Sequence, residues 1–254
     1  MTPQAIAFDL DGTLAESKQP ISTEMGVLLE QLIALMPVAI MSGDSFEHFE
    51  AKLLQKLPSS THLPHVYLFP TNAGACVVYK NGTWERTYDF SFSPQERAQI
   101  REALDTALGA VGLAEEPKPV WGQRIEDRGA QISFSPLGQQ APVEAKEAWR
   151  TEYNDLRTAA WEQLVQLLPE FDVKMGGITT IDIVHKGITK AYGVKKFAEL
   201  TNVTIKDMLY VGDALGEGGN DAVVLEVGVP THATKGPAET AEIIQAILHA
   251  TPTT

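Results

Sequence analysis

The stretch Ala5-Ile6-Ala7-Phe8-Asp9-Leu10-Asp11-Gly12-Thr13-Leu14 decides the reading of this chain. Four apolar residues run straight into two carboxylates two residues apart, and a glycine follows. A short apolar run that stops at a turn signal reads as a buried strand. Residues i and i+2 of a strand point the same way, so Asp9 and Asp11 share one side of the chain where the strand leaves the sheet. Gly12 lets the backbone turn sharply there. Two carboxylates so placed can hold a hard cation and present one of the pair as a nucleophile.

The whole chain of 254 residues fits one large domain or two smaller ones. Its 44% hydrophobic and 21% charged content is that of an ordinary globular protein. Twenty basic against 33 acidic residues leave a net charge of −13, which speaks against a general nucleic-acid or anionic-membrane binder. A small anionic substrate stays open, because a few local cations and a metal outweigh the global charge. Cys76 is the single cysteine and cannot form an intrachain disulfide. That suits a reducing cytoplasm. The N-terminus has no basic n-region, and no apolar run approaches the length of a membrane span. The expected compartment is the cytoplasm.

Outward from β-like Ala5 to Leu10, the first third alternates strand and helix signals. Ser22 can cap a helix with Leu28, Leu32 and Leu35 on one face. Val38 to Met41 is a short strand that runs into Ser42-Gly43-Asp44. A helix from about Ser45 to Lys56 precedes strands at Val66 to Phe69 and Ala75 to Tyr79. Such alternation favours a parallel α/β sheet. The middle differs. Ser93-Pro94-Gln95-Glu96 is a capping box with proline at the first helical position. Ala141 to Leu168 reads as a long helix with Trp149, Tyr153, Leu156, Ala160 and Leu164 on one face. Gln131 to Ser135, Phe171 to Lys174 and Thr179 to Val184 read as strands. Beyond a helix over Gly187 to Leu200, the α/β pattern returns with strands at Met208 to Val211 and Val223 to Val229. A helix from Pro237 to Leu248 follows, and Thr251 to Thr254 reads as a frayed tail. The expected architecture is one α/β core from residues 1–82 and 187–254, with an α+β module inserted over 83–186.

Ligands of open α/β sheets bind beyond the carboxyl ends of the strands. Three polar clusters fall there: Asp9-x-Asp11, Ser42-Gly43, and Gly212-Asp213 continuing to Gly218-Gly219-Asn220-Asp221. Lys190, at the start of the helix after the module, is a fourth. Each alone reads as a turn or a solvated residue. Together they fit phosphoryl transfer, which needs a nucleophile, neutralisation of the phosphoryl oxygens and an acid/base. Asp9 can attack phosphorus. Asp11 can protonate the leaving group and then activate water or a hydroxyl. Asp9, Asp213 and the Asp11 carbonyl can hold Mg2+, and Asp221 belongs with them as a further metal-site carboxylate. Ser42 and the Gly43 amide can hold phosphoryl oxygens, and Lys190 can neutralise Asp9. Asn220, with Asp221, can orient the metal ligands and Lys190.

With those residues in place, the chain resembles the haloacid dehalogenase superfamily, subfamily IIB, whose Rossmann-like core carries an inserted C2-type cap. Phe8 to Leu14 matches its motif I, Met41-Ser42-Gly43 motif II, Lys190 motif III, and Gly212-Asp213 with Asn220-Asp221 motif IV. Lys186-Gly187 is a competing register for the lysine, and Gly-Ile-Thr-Lys190 is the better match. Within that superfamily, the chain is most similar to eukaryotic-type phosphomannomutases over most of its length. Ile125-Glu126-Asp127-Arg128, Ser135-Pro136-Leu137-Gly138, and Gly176-Gly177 through Thr180-Ile181-Asp182 look like cap segments of that family. The resemblance implies that Arg128, Thr180 and Asp182 touch the sugar phosphate. It also implies a homodimer paired through the cap.

The departures concern the second phosphate. Gln139 follows Ser-Pro-x-Gly where the family has arginine. Lys146 and Lys18 also stand where the family has arginines. Arginine grips phosphate in two places at once, which glutamine cannot do and lysine does only in part. Arg124, Arg128 and Lys146 remain as a smaller cationic patch. A mutase must hold a bisphosphate while it turns over, so a weakened second site favours hydrolysis. The leading expectation is therefore a Mg2+-dependent hexose-phosphate phosphatase working through an aspartyl-phosphate. The alternative is a phosphomannomutase. A non-catalytic sugar-phosphate sensor is the reading from another class, and intact Asp9, Asp11, Lys190 and Asp213 argue against it.

Overall fold

The structure, a computed structural model, describes residues 2–57, 62–216 and 218–250. The tail Thr251 to Thr254 lies outside the described residues. In chain order the strands are β1 (Ala5–Asp9), β2 (Val38–Met41), β3 (Val66–Phe69), β4 (Ala75–Lys80), β5 (Thr83–Asp89), β6 (Ile125–Asp127), β7 (Gln131–Phe134), β8 (Phe171–Gly176), β9 (Thr180–His185), β10 (Met208–Gly212) and β11 (Thr231–Ala233). The helices are α1 (Thr23–Leu35), α2 (Phe46–Lys52), the single turn α3 (Pro70–Ala73), α4 (Pro94–Ala110), α5 (Val143–Leu167), α6 (Lys190–Thr201) and α7 (Pro237–Ala250). The chain divides into two compact units. The larger takes the residues up to Asp89 and those from Ile188 onward, and the smaller is Phe90–Gly187. Among the described residues no helix is long and apolar enough to cross a membrane.

The larger unit is built on a seven-stranded sheet of order β11-β10-β1-β2-β3-β4-β5. The strands from β11 to β3 run parallel, as the alternating pattern predicts. β4 and β5 add antiparallel at one edge. The unit boundary therefore falls after Asp89 rather than between residues 82 and 83. The reason is Asn81-Gly82, both at positive φ (51° and 84°) between Lys80 and Thr83. Two such residues make the hairpin turn whose twist matches that of the strands, so β5 folds back onto β4. Alternation along β1 sends Ile6 and Phe8 to one face, against Met25, Leu29, Leu32 and Ile33 of α1, Phe49 of α2 and Ile244 of α7. Ala5 and Ala7 face Val194 and Phe197 of α6. Ser22 caps α1, accepting the Met25 amide at 3.1 Å. The buried stripe of α1 is rotated from the expected face, leaving Leu35 exposed, because Met25, Leu29 and Ile33 supply the contacts.

Val223 to Val229 is not a strand. It forms a 3-10 turn, Ala222–Val227, ended by Gly228 at φ 71°. Only Val224 of that turn is fully buried. A short apolar run cannot by periodicity alone be told from a helical turn. The edge strand after β10 is Thr231–Ala233 instead.

The smaller unit is an antiparallel sheet of order β6-β7-β9-β8 with α4 and α5 on one face. Ser93 and Glu96 complete the capping box that starts α4. Ile132 and Phe134 of β7 and Ile181 and Ile183 of β9 meet Ile100, Leu104, Trp149, Ala160 and Leu164 from the helices. Tyr153 departs from the buried stripe of α5: its φ of −123° breaks the helical geometry, and the ring is exposed. Arg157, one turn further on, is buried instead. Its guanidinium donates to the carbonyls of Ile178 (2.9 Å), Gly176 (3.0 Å) and Thr180 (2.9 Å), and so ties α5 to the β8–β9 turn.

Arg157→Met would leave those carbonyls without their donor, at about 1 kcal/mol or more for each. The expected loss is about 3 kcal/mol of unfolding free energy. Urea denaturation followed by tryptophan fluorescence measures it, since Trp121, Trp149 and Trp161 all lie in this unit. An unchanged midpoint would show that the turn holds without Arg157.

Candidate active site

Asp9 closes β1, the strand flanked by β2 on one side and β10 on the other. The order of the parallel strands reverses at this point, so the chain diverges above β1 and leaves a crevice. Asp9 is 4% exposed. Lys190, the first residue of α6, is 1% exposed and donates to Asp9 Oδ1 at 2.5 Å and to Asp221 Oδ1 at 2.7 Å. Lys186 is exposed and donates to the Pro169 carbonyl, so the lysine of the cluster is Lys190. Thr189 caps α6 by accepting the Tyr192 amide, which fixes where the helix begins and hence where Lys190 projects. Asp221 also accepts the Tyr210 hydroxyl at 2.5 Å and the Ala214 amide at 3.1 Å. It is thus an anchor for Lys190 and for the loop after β10.

Asp213 follows β10, is exposed, and accepts the Thr13 hydroxyl at 3.2 Å. Two glycines let these segments approach. A Cβ on Gly12 would lie 2.6 Å from Asp213 Oδ2, and one on Gly212 would lie 2.5 Å from Asp221 Oδ2. Gly12 also sits at φ 85°, within a turn in which Leu10 O accepts the Leu14 and Ala15 amides. Asn220, next to Asp221 in the chain, is exposed.

Carboxylate oxygens of Asp9, Asp213 and Asp221 all lie within 4.8 Å of one another. Three carboxylates against one ammonium leave two negative charges, the charge of one divalent cation. Burial pushes the Asp9 carboxyl up to about 7 although Lys190 opposes the shift, and Asp221 and Asp213 push it the same way as burial. Burial works against the charge of Lys190, but Asp9 and Asp221 overcome it and hold the ammonium above its ordinary value. The donor set, all oxygen and short of positive charge, fits a hard cation such as Mg2+.

Ser42 and Gly43 follow β2. Ser42 is buried, and its Oγ accepts the Asp44 amide at 3.1 Å, which leaves the hydroxyl proton to be donated. Asp11 lies beside residues not foreseen from the sequence. Lys52 of α2 donates to Asp11 Oδ1 (3.1 Å) and Oδ2 (3.3 Å) and to Asp44 Oδ2 (2.6 Å). The Lys18 amide donates to Asp11 Oδ1 at 2.6 Å, while the Lys18 side chain is exposed. Asp44 directly follows Ser42-Gly43, which was a usable signal. Lys52 had none, since a lysine in the last turn of a helix is ordinary.

In the smaller unit, Glu126, Ser133, Asp182 and Lys174 stand directly opposite one another across β6, β7, β9 and β8. Opposed residues share a face, here the one away from the helices. Thr180 alternates with Asp182 onto it. Burial raises the Asp182 carboxyl against a Ser133 hydrogen bond and the charges of Arg128, Arg157 and Lys174. The structure thus brings Arg128, Thr180 and Asp182 together. Arg128 pairs with Glu126 Oε2 at 2.6 Å. Arg124 is elsewhere: its guanidinium donates to the carbonyls of Leu113, Ala114, Glu115 and Pro136, and it stacks over Phe134. It holds a loop and does not join the patch expected of it. Gln139 Nε2 donates to the Ser133 carbonyl at 3.3 Å, and Lys146, buried, donates to the Gln139 carbonyl at 3.4 Å.

Mg2+ is expected to raise the thermal midpoint by about 5 °C at about a hundredfold excess over its dissociation constant. Asp213→Asn should remove that shift. Because Asp9 holds a proton up to about pH 7, the shift should grow between about pH 6 and pH 8. Without the ion the sign reverses. The folded state keeps a proton that the unfolded chain loses near pH 3.8, so this group makes stability fall as pH rises toward about 7. Differential scanning fluorimetry across pH, with and without Mg2+, reads both effects.

The description "Eukaryotic phosphomannomutase" belongs to the family model that matches residues 27–250. A phosphomannomutase of Dendrobium officinale is 25% identical over 247 residues, covering 93% of this chain and 91% of that protein. Human phosphomannomutase 1 is 23% identical over 244 residues, covering 92% and 88%. Among solved structures, an IMP-bound variant of Plasmodium falciparum IMP-nucleotidase superposes with a TM-score of 0.70 at 15% identity, over 97% of this chain and 68% of the other. The C-terminal domain of Candida albicans trehalose-6-phosphate phosphatase gives 0.65 at 14% identity, over 99% and 94%. The fold is that of the haloacid dehalogenase superfamily, and with a family match that spans most of the sequence, the chain belongs to the eukaryotic phosphomannomutase family.

Proposed function

We propose that this protein transfers phosphoryl groups on hexose phosphates through Asp9, and that it interconverts mannose 6-phosphate and mannose 1-phosphate. The observation that carries the transfer chemistry is the buried Lys190 bridge between Asp9 and Asp221 at the end of β1. An ammonium on the nucleophile makes attack by one anion on another feasible. Family membership over most of the chain, the smaller unit included, supports isomerisation as the outcome. This reading replaces hydrolysis as the leading one.

Asp9 attacks phosphorus, the bond from phosphorus to the sugar oxygen breaks, and Asp11 supplies the proton that the leaving oxygen takes up. In the second half a sugar hydroxyl attacks the aspartyl-phosphate, its proton passes to Asp11, and Asp9 is regenerated. Ser42 and the Gly43 amide hold the phosphoryl oxygens, while Lys190 offsets their charge. Asp9, Asp213 and the Asp11 carbonyl would hold Mg2+, which would supply charge withdrawal from the phosphoryl group. The polar face with Arg128, Thr180, Asp182 and Lys174 is the part that recognises the sugar phosphate.

A specific observation keeps hydrolysis as a second reading. Gln139 and Lys146 stand at two arginine positions of the family, and both make bonds to backbone of their own unit. Neither offers the two-point grip of an arginine on a second phosphate.

With Mg2+, a hexose bisphosphate activator and mannose 1-phosphate, the protein is expected to form mannose 6-phosphate faster than free phosphate. Asp9→Asn should reduce both by about a thousandfold or more while the protein stays folded. Gln139→Arg should raise the ratio of isomer to free phosphate about tenfold. Phosphate release without isomer formation would decide for hydrolysis. No turnover of either kind would leave the sensor.

A further inference from the structure

Both oxygens of Asp11 are engaged. Lys52 Nζ lies 3.1 and 3.3 Å from them, and the Lys18 amide lies 2.6 Å from Oδ1. Lys18 reaches that position with its backbone at φ 62°, a conformation that non-glycine residues rarely adopt. Lys52 has a second and closer carboxylate, Asp44, at 2.6 Å, and its side chain is only 14% exposed. Asp44 is fixed in turn by its amide on Ser42 Oγ and its carbonyl on the Thr71 amide. A lysine shared between a fixed carboxylate and the acid/base keeps a partner when the acid/base departs. Asp11 can therefore leave Lys52 without stranding a half-buried ammonium.

We propose that Lys52 is a positioning residue that occupies Asp11 until a sugar hydroxyl claims it, and so protects the phosphoryl group on Asp9 from water. The inference rests on the aspartyl-phosphate chemistry proposed above. In hydrolysis, water attacks phosphorus, the Asp9–phosphorus bond breaks, and the proton of water goes to Asp11. While Lys52 and the Lys18 amide hold its oxygens, Asp11 has fewer lone pairs left to take a proton from water. A sugar hydroxyl held beside the phosphoryl group competes for Asp11 at high local concentration, whereas water must find it by chance. Lys52 thereby sets how the phosphoryl group is divided between sugar and water.

The test is the lifetime of the aspartyl-phosphate. The full-length protein is phosphorylated with a hexose bisphosphate and Mg2+ and separated from sugar, and phosphate release is then followed. Isomer and free phosphate are quantified in parallel during steady turnover. Lys52→Met should speed phosphate release about five- to tenfold and lower the ratio of isomer to phosphate to match. Lys52→Arg, which retains the charge, should restore most of the lifetime. Asp44→Asn leaves Asp11 as the carboxylate partner of Lys52 in this trio and should move release the other way. A purely structural role would slow every reaction together and shift no ratio. Unchanged release in Lys52→Met, or equal losses in Lys52→Met and Asp44→Asn, would overturn the inference while leaving the proposed function intact. A wild-type protein that forms no aspartyl-phosphate would overturn both.

Discussion

The interaction on which the rest depends is the buried ammonium of Lys190, held between Asp9 and Asp221. It joins residues 181 and 31 positions apart. Removing charged groups from water is costly, and a buried ion pair recovers that cost only with close geometry and further hydrogen bonds. Both conditions are met. The two contacts are 2.5 and 2.7 Å, and Asp221 also accepts the Tyr210 hydroxyl and the Ala214 amide. Three separate pieces of chain are thereby locked at one point: the end of β1, the start of α6 and the loop after β10. The arrangement places the buried carboxylate of Asp9 beside a fixed positive charge.

Charge at this point is deliberately incomplete in the protein alone. Asp213 adds a third carboxylate at the rim, brought close by the absence of side chains at Gly12 and Gly212. Burial raises the Asp9 carboxyl, Asp221 and Asp213 add to the shift, and the surplus negative charge is what a divalent ion would relieve. A second charged trio, Asp11, Lys52 and Asp44, lies around the neighbouring carboxylate of the same strand end. The two trios differ in exposure. Lys190 is sealed, whereas Asp11 retains 28% of its side-chain surface. That difference suits one fixed role and one movable role.

The fold explains why the sequence signals succeed where they do. β1 and β2 are covered on both faces, so they read as continuous apolar runs ended by the polar residues that matter. Ser22 and the Ser93 to Glu96 box mark helix starts because capping is local chemistry. Signals fail where tertiary packing chooses. Val223 to Val229 has strand composition, but a turn anchored through Asp221 and closed by Gly228 holds it as a 3-10 helix. Asn81-Gly82 is a clear hairpin signal, and with it β5 belongs to the larger sheet. Arg124 and Arg128, four residues apart, have opposite fates. One clamps backbone carbonyls, and the other joins the polar sheet face.

By itself the sequence determined the parallel sheet and pointed to Asp9, Asp11, Ser42, Lys190, Asp213 and Asp221 as the core of a candidate site. Those residues lie at strand ends and helix starts, where local pattern and residue chemistry coincide. Only the tertiary structure decided that one ammonium bridges Asp9 and Asp221, that the Tyr210 hydroxyl and the Ala214 amide fix Asp221, and that Lys52 and Asp44 surround Asp11. These are contacts between distant segments. No local periodicity encodes them, because they follow from how the helices pack against the sheet and from which glycines let the segments meet.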